Sequence, residues 1–430
     1  MLPRTKAILL ATSLIVAAAF PSPAFATSCT PSKQLASSNI AQLHAEVIDA
    51  TTGITLFAKN QDSAERSASV MKVLTAAVAL DVLGPDFQVT TNVYSNLQNP
   101  GSIHLVGAGD VTLSRMPGNI TSYYAKAPKL DTLTRIISSW SKQAGVAITE
   151  VSVDSSLFGG NQEWHLTWSK KGLADGYMAP VSALQIDAAR ITSSKNKLVW
   201  LARRTDAPVT QAAQLFVESL NARGLAAGLI AKERKLPTSS QVIASVQSRP
   251  MREWIENMLR VSDNSLAEAL GRLSSLKLGL DGSMKSLTPL YKQVLGARGL
   301  DVSKLKIVDA SGLSRDNQVP VSLVNDVLAL VNQGVGNYSV IEAGLPISGE
   351  RGSLRTRFAA GNLAAAKGLV AAKTGYITSG YSLAGFLKAR DGTELIFTVY
   401  YLSERARLTQ RNAMDNLVYR FYQCGAKLSG

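Results

Sequence analysis

The chain has 430 residues, 46% of them hydrophobic, and a formal net charge of +14. That length exceeds what one hydrophobic core usually organises, so at least two domains are expected. Only two cysteines and three histidines occur, too few and too scattered for a metal-ligand cluster, so neither metal nor cofactor is expected.

The first residues read as a secretory leader. Arg4 and Lys6 precede a mostly apolar run from Ala7 to Phe20, and Pro21 and Pro23 lead to the small-residue site Ala24-Phe25-Ala26. The apolar run is too short to span a bilayer, which places the signal peptide at 1–26 and the mature chain, with no transmembrane segment, in the periplasm or cell-wall space. The 45 Lys+Arg less the two leader cations give 43 against 31 acids, a net +12. This balance suits an anionic polymer such as cell-wall glycan, but no clustered basic run with interleaved aromatics points to nucleic acid. Cys29 and Cys424 lie near the two ends of the mature chain, and export to an oxidising compartment favours a disulfide between them.

Residues 42–57 predict a hairpin with its turn at Thr52-Gly53. From Ser69 to Leu83 the chain is rich in Ala, Leu and Val, then stopped by Gly84-Pro85, so a buried helix is expected to begin at Ser69. Alternation at 87–95 and segments broken by Gly, Pro, Ser and Asn to about residue 245 read as a β-containing insertion. Helical character returns from Met251 through Leu276 and from Leu323 to Val331, and a strand pair is expected at 382–388 and 395–402 around Asp391-Gly392. Gly107-Ala108-Gly109-Asp110-Val111-Thr112 lacks the third glycine of a dinucleotide fingerprint and reads as a turn.

His44, His104 and His165 sit in no motif that would make any of them a base, so a Ser-His-Asp triad is not supported. Ser69-Val70-Met71-Lys72 instead puts a hydroxyl and an amine three residues apart, on one helix face. A serine activated by a lysine needs that geometry, and the helix N-terminus adds N–H donors for developing negative charge. The spacing is not unique, since Ser139/Lys142, Ser194/Lys197, Ser274/Lys277 and Ser303/Lys306 share it. Two further motifs decide: Ser262-Asp263-Asn264 and Lys373-Thr374-Gly375. Their order after Ser-x-x-Lys is the set used by penicillin-binding proteins and serine β-lactamases. A lysine acts as base only when neutral, so burial and a second cation, Lys373, are expected to depress the pKa of Lys72. Ser262 can relay the proton, Asn264 can bond the substrate peptide, and Lys373 with Thr374 suits a terminal carboxylate.

With these residues in place, the sequence resembles the D-Ala-D-Ala carboxypeptidase family often called penicillin-binding protein 4, or peptidase family S13. The likeness extends to Leu105–Asp110, Val153–Phe158, Ala179–Leu184, Asp309–Ser314 and Leu345–Gly349. From Lys72 to Ser262 is 262 − 72 = 190 residues, which fits that family's large insertion. The resemblance implies an α/β (α+β) transpeptidase/β-lactamase-like domain built discontinuously from 27–85 and 246–430, with an inserted domain at 86–245. It further implies trimming of peptidoglycan stem peptides ending in D-Ala-D-Ala, as carboxypeptidase or endopeptidase, with β-lactam antibiotics as inhibitors. Asp154 and Ser155 resemble a family segment that faces the cleft. Tyr376 departs from the pattern, because a small hydroxyl residue usually follows Lys-Thr-Gly; its backbone N–H can still serve an oxyanion hole with that of Ser69. A β-lactamase or esterase on the same scaffold would need a carboxylate to position water, for which no motif is found after the helix. A silent cell-wall binding protein would need no nucleophile with its base.

Overall fold

The structure is a computed structural model that describes residues 28–40, 42–191 and 201–430. The proposed leader lies outside the described residues.

Two five-stranded sheets organise the described residues. The first has the order β2-β1-β10-β9-β8 and is antiparallel throughout. It comprises β1 (Leu43–Asp49), β2 (Thr55–Lys59), β8 (Val370–Ile377), β9 (Gly380–Lys388) and β10 (Glu394–Leu402). Central β10 is buried on both faces from Leu395 to Leu402, which is why it reads as a nearly continuous apolar run rather than an alternation. One face packs on the helix Leu408–Cys424 through Leu417, Val418 and Phe421; the other meets a helical layer through Ala384, Ile396 and Tyr400.

That layer contains α1 (Met71–Val82), followed in the chain by the insertion's α2 (Leu130–Ala144) and α3 (Pro208–Asn221), then α4 (Met251–Val261), α5 (Asn264–Lys277), α6 (Leu287–Gly296) and α7 (Val321–Asn332). Helix α1 is buried continuously from Met71 to Leu80, as a helix apolar on all sides must be. It starts two residues later than the sequence pattern predicted, because Ala68–Val70 forms a 3-10 turn that carries Ser69. Its end is the expected one: Gly84, at φ +82°, donates its N–H to Ala79 O at 3.3 Å, a left-handed closure that glycine adopts without penalty.

The continuous helix expected at 251–276 is two helices. Ser262 closes α4 in the left-handed conformation (φ 60°, ψ 42°), and Asp263 caps α5 by accepting from Leu266 N at 3.0 Å. An αL residue followed by an N-cap aspartate is a complete stop-and-start signal.

The second sheet, β6-β5-β4-β3-β7, belongs to the insertion. It consists of β3 (Thr90–Asn96), β4 (Ser102–Val106), β5 (Glu150–Asp154), β6 (Lys232–Glu233) and β7 (Ser240–Gln247). The insertion is β-containing, as expected, and it also holds two helices that the pattern did not single out: α2 and α3 cover one sheet face, burying Leu133, Ile137, Ala212, Phe216 and Leu220 against Val93, Ile103, Leu105 and Val153. Parallel pairing of β4 with β5 requires a crossover, and α2 supplies it.

Cys29 and Cys424 are bonded, with Cα atoms 5.4 Å apart and 395 residues between them in sequence. The Gly107–Thr112 segment is a turn: Asp110 is buried and accepts from Thr112 N at 2.7 Å and Thr112 Oγ1 at 2.6 Å.

Candidate active site

The three motifs converge where α1, the α4–α5 junction and edge strand β8 meet. Lys72 Nζ donates to Ser69 Oγ at 2.9 Å, to Asn264 Oδ1 at 2.8 Å and to Ser311 O at 2.6 Å. These three acceptors match the three hydrogens of an ammonium. A neutral amine has two hydrogens and a lone pair; if Asn264 and Ser311 keep the hydrogens, the lone pair faces the Ser69 hydroxyl. The same geometry therefore suits both the resting cation and the base.

Lys373 is also fully buried and donates to Ser262 Oγ at 2.9 Å and to Thr374 O at 2.6 Å. It lies inside β8, directly ahead of β9 in the chain. Thr374 Oγ1 shares a 2.6 Å hydrogen bond with Ser353 Oγ at the exposed rim. Gly375 is obligatory: a Cβ there would stand 2.0 Å from Ser382 Oγ and 2.9 Å from Ser69 N. This close approach brings β8 against the turn that holds Ser69. On the outer edge of β8, Ala372 N donates to Pro346 O at 2.9 Å. With the two-residue period of a strand, the N–H groups of Thr374 and Tyr376 point to that same open edge.

Burial is the main cause of the lysine shifts. It draws Lys72 down from 10.5 to about 8, against the opposing pull of the Asp309, Glu268 and Asp263 carboxylates. Lys373 is held well below the usual lysine range, first by burial and then by the Lys72 cation. The expectation that Lys373 would depress Lys72 is thus modified: the repulsion falls on Lys373, which has no carboxylate to offset it.

A loop not singled out for catalysis completes the site. Asp309 accepts from Gly312 N and Ser314 N, both at 2.6 Å, and from Trp168 Nε1 at 2.7 Å. Glu268 accepts from Ser311 N at 3.0 Å. The loop so fixed turns Ser311 O toward Lys72, and Gly312 (φ +77°) passes so close to Ala68 that a Cβ would lie 1.9 Å from its carbonyl oxygen.

The sequence matches the D-Ala-D-Ala carboxypeptidase 3 (S13) family over residues 32–198 and 192–421. It is 31% identical to a carboxypeptidase of Mycobacterium tuberculosis over 390 residues, covering 90% of this chain and 81% of the relative. It is also 31% identical to the carboxypeptidase DacB of Mycolicibacterium smegmatis over 399 residues, covering 91% and 82%. This chain belongs to the D-Ala-D-Ala carboxypeptidase 3 (S13) family. It is a D-Ala-D-Ala carboxypeptidase, and its mixed α/β fold is that of penicillin binding protein 4. The crystal structure of penicillin binding protein 4 from Haemophilus influenzae superposes with a TM-score of 0.74 at 20% identity, covering 91% of this chain and 99% of that one.

In this carboxypeptidase the remaining predicted residues fall as follows. The Asn264 amide is largely engaged, its oxygen by Lys72 and its nitrogen by Tyr177 O at 3.1 Å, leaving one N–H free for a peptide. Tyr376 is 55% exposed and lies against Tyr381, ring centroids 4.8 Å apart. Asp154 ends β5, and its carboxylate accepts from Ser156 N at 2.8 Å and Leu236 N at 2.7 Å; none of its hydrogen bonds goes to the Ser69 cluster. No described histidine hydrogen-bonds Ser69: His44 reaches Asn60 O, His104 contacts Ser102 and Ser152, and His165 contacts Thr167 and Ser314. Among the described residues no His/Cys/Asp/Glu group could hold a metal ion, and no helix is long and apolar enough to cross a membrane. Sequence reasoning gave no role to Ser311, though it stands in the family-like Asp309–Ser314 segment, and it passed over Ser353, Glu268 and Tyr177. Three act through backbone atoms or behind another side chain, which leaves no residue-type signature; Ser353 becomes visible only once β8 is known to be an edge.

Proposed function

We propose that Ser69 is the acyl-forming nucleophile of this carboxypeptidase, with Lys72 as its base. The observation that carries the reading is the trio of acceptors around Lys72 Nζ, which aims the lone pair of the neutral amine at Ser69 Oγ. In acylation, Ser69 Oγ bonds to the carbonyl carbon of the penultimate D-alanine while its proton passes to Lys72. The N–H groups of Ser69 and Tyr376 receive the oxyanion. The C–N bond then breaks, and the leaving D-alanine amine takes a proton, with Ser262, held by Lys373, as the relay. Water hydrolyses the ester and restores Ser69.

The hydroxyls of Thr374 and Ser353 are the groups placed to meet the terminal carboxylate. Lys373, which is buried and already donating to Ser262 and Thr374 O, contributes its field rather than direct contact. A strained β-lactam amide fits the same nucleophile, and the penicillin binding protein 4 of Haemophilus influenzae has been crystallised with one. A cross-link is cut by the same acyl transfer where the rim admits the larger leaving group. The reading includes export through the 1–26 leader and a division at 27–85, 86–245 and 246–430, supported by an insertion core whose buried members run from Val93 to Ala244.

The test is to incubate the purified protein with free pentapeptide and, in parallel, with sacculi, and to identify products by mass spectrometry. Loss of one alanine from the pentapeptide is expected, and Ser69→Ala should abolish it together with the covalent penicillin adduct. Unaltered pentapeptide with the wild-type protein, or an adduct that persists in Ser69→Ala, would overturn the assignment.

A further inference from the structure

Residues 187–189 adopt a conformation that side chains other than glycine rarely take. Asp187, Ala188 and Ala189 have φ of 50°, 48° and 59°, and all three are fully buried. Left-handed conformation is tolerated in single Asn or Asp residues, not in runs that include alanine. Such a run persists only where surrounding contacts over-determine it.

Those contacts are present. Asp187 N and Ala188 N donate to Leu113 O and Val111 O at 2.8 and 2.7 Å. Arg115 Nε binds Asp187 Oδ2 at 2.9 Å, and Arg204 donates to Ala188 O. The product of this turn is the direction of Arg190, which is 1% exposed.

The Arg190 guanidinium lies 3.3 Å from the centroid of the Tyr123 ring. Its nitrogens reach Tyr124 OH at 3.3 Å and Asp263 Oδ2 at 3.5 Å, and Tyr124 OH donates to the same Asp263 oxygen at 2.9 Å. Asp263 separates Ser262 from Asn264, the relay and the Lys72 partner. Its other carboxylate oxygen caps α5. Ser262, on the near side, is itself left-handed. One carboxylate thus ties a strained turn of the insertion to a strained residue of the site, and Tyr177 O adds a second tie from the insertion to Asn264.

We propose that Arg190 is a positioning residue of the reaction: through Asp263 and Tyr124 it fixes the Ser262–Asn264 junction, so that the insertion aligns the relay and the lysine. The proposal rests on Ser69 and Lys72 acting as described above. The groups facing Asp263 are Arg190 and Arg204, Tyr123 and Tyr124 from the insertion, and Lys72 from α1. Burial raises the Asp263 carboxyl, but the two guanidiniums, the Leu266 N–H and the Tyr124 hydroxyl outweigh it and hold Asp263 ionised. Removing Arg190 leaves that negative charge less balanced beside Lys72, which favours the ammonium. Removing the Asp263 charge does the opposite.

The experiment measures the second-order rate of Ser69 acylation by a fluorescent penicillin against pH in wild type, Arg190→Gln, Arg190→Lys, Asp263→Asn and the double variant Arg190→Gln/Asp263→Asn, with folding checked by circular dichroism. Arg190→Gln should slow acylation at least tenfold and move the alkaline rise of the rate to higher pH. Asp263→Asn should slow it and move the rise to lower pH, the double variant should lie between them, and Arg190→Lys should recover part of the rate. A passive structural clamp would not displace the rise in opposite directions. Folded Arg190→Gln with a wild-type rate and an unmoved rise overturns the proposal. Should that variant not fold, Tyr124→Phe decides: a several-fold loss supports the proposal and an unchanged rate overturns it. A wild-type protein that is not acylated at Ser69 would instead defeat the underlying reading of the site.

Discussion

Lys72 and Asn264 are joined by a 2.8 Å hydrogen bond across 192 residues of sequence. The bond fixes the amine on the Ser69 side of α1, and it couples the lysine's protonation to the junction between α4 and α5. The insertion touches this pair through Tyr177 O, which accepts from the Asn264 amide at 3.1 Å.

The identity of the base follows from that contact. Lys72→Arg keeps a buried cation but cannot deprotonate at working pH, so folded Lys72→Arg should lose acylation by a factor of about 10²–10⁴, the usual contribution of a general base. Since only the neutral amine accepts the Ser69 proton, the wild-type rate should rise with pH through a limb near about 8. Stopped-flow acylation across pH checks both; a variant that keeps most of the rate would show that the positive charge alone suffices.

Gly375 sets the distance between β8 and Ser69. An alanine there must displace Ser382 Oγ, which donates to Ser67 O at 2.6 Å, or push the strand off the Ser69 turn. A misplacement of about 1 Å costs on the order of 10²-fold in rate. Gly375→Ala should therefore remain folded, by circular dichroism, while acylation by penicillin falls at least tenfold.

Asp110 gives a pH signature outside the site. Burial raises its carboxyl from 3.8 to about 6, against the hydrogen bonds from Thr112 and Leu113. The folded state therefore holds a proton that the unfolded chain releases between those values, so this contribution to stability is present at low pH and lost as pH rises through about 6. Asp110→Asn, which never ionises, should remove a penalty of up to about 3 kcal/mol above that window. Melting curves at pH 5 and pH 8 should show a smaller loss of Tm on going to pH 8 in the variant than in wild type.

The Cys29–Cys424 bond closes nearly the whole described chain. In the chain-entropy account a loop of this size stabilises by on the order of 5 kcal/mol, less where the unfolded state retains structure. Reduction, or Cys29→Ser with Cys424→Ser, should lower Tm by several degrees and leave penicillin acylation intact, because the bond ties β1's leading segment to the end of the last helix, away from Ser69. Titration of the denatured, unreduced protein should find no free thiol.

Ser69, Lys72, Ser262, Asn264, Lys373 and Gly375 stand in short motifs whose residue types and order are local, so the proposed chemistry was legible before any fold was known. The sequence by itself determined most elements too, because α1, the 43–59 hairpin and β9–β10 carry their periodicity and their Gly, Pro and Asp-Gly stops locally. The structure alone decided what long-range packing sets. Helices α2 and α3 carry an apolar helical period of their own, with Leu130, Leu133 and Ile137 buried in one and Val209, Phe216 and Leu220 in the other, but their place is set by the fold: α2 is the crossover of the parallel β4–β5 pair and α3 that of the parallel β5–β6 pair. Asp309 and Ser311 stand in a family-like segment and Asp263 in a motif, but nothing local tells what their side chains and carbonyls do, and Glu268 and Arg190 carry no signature of their own. Their roles arise from burial, which turns an ordinary carboxylate or guanidinium into a strong local field, and burial is a property of the folded chain.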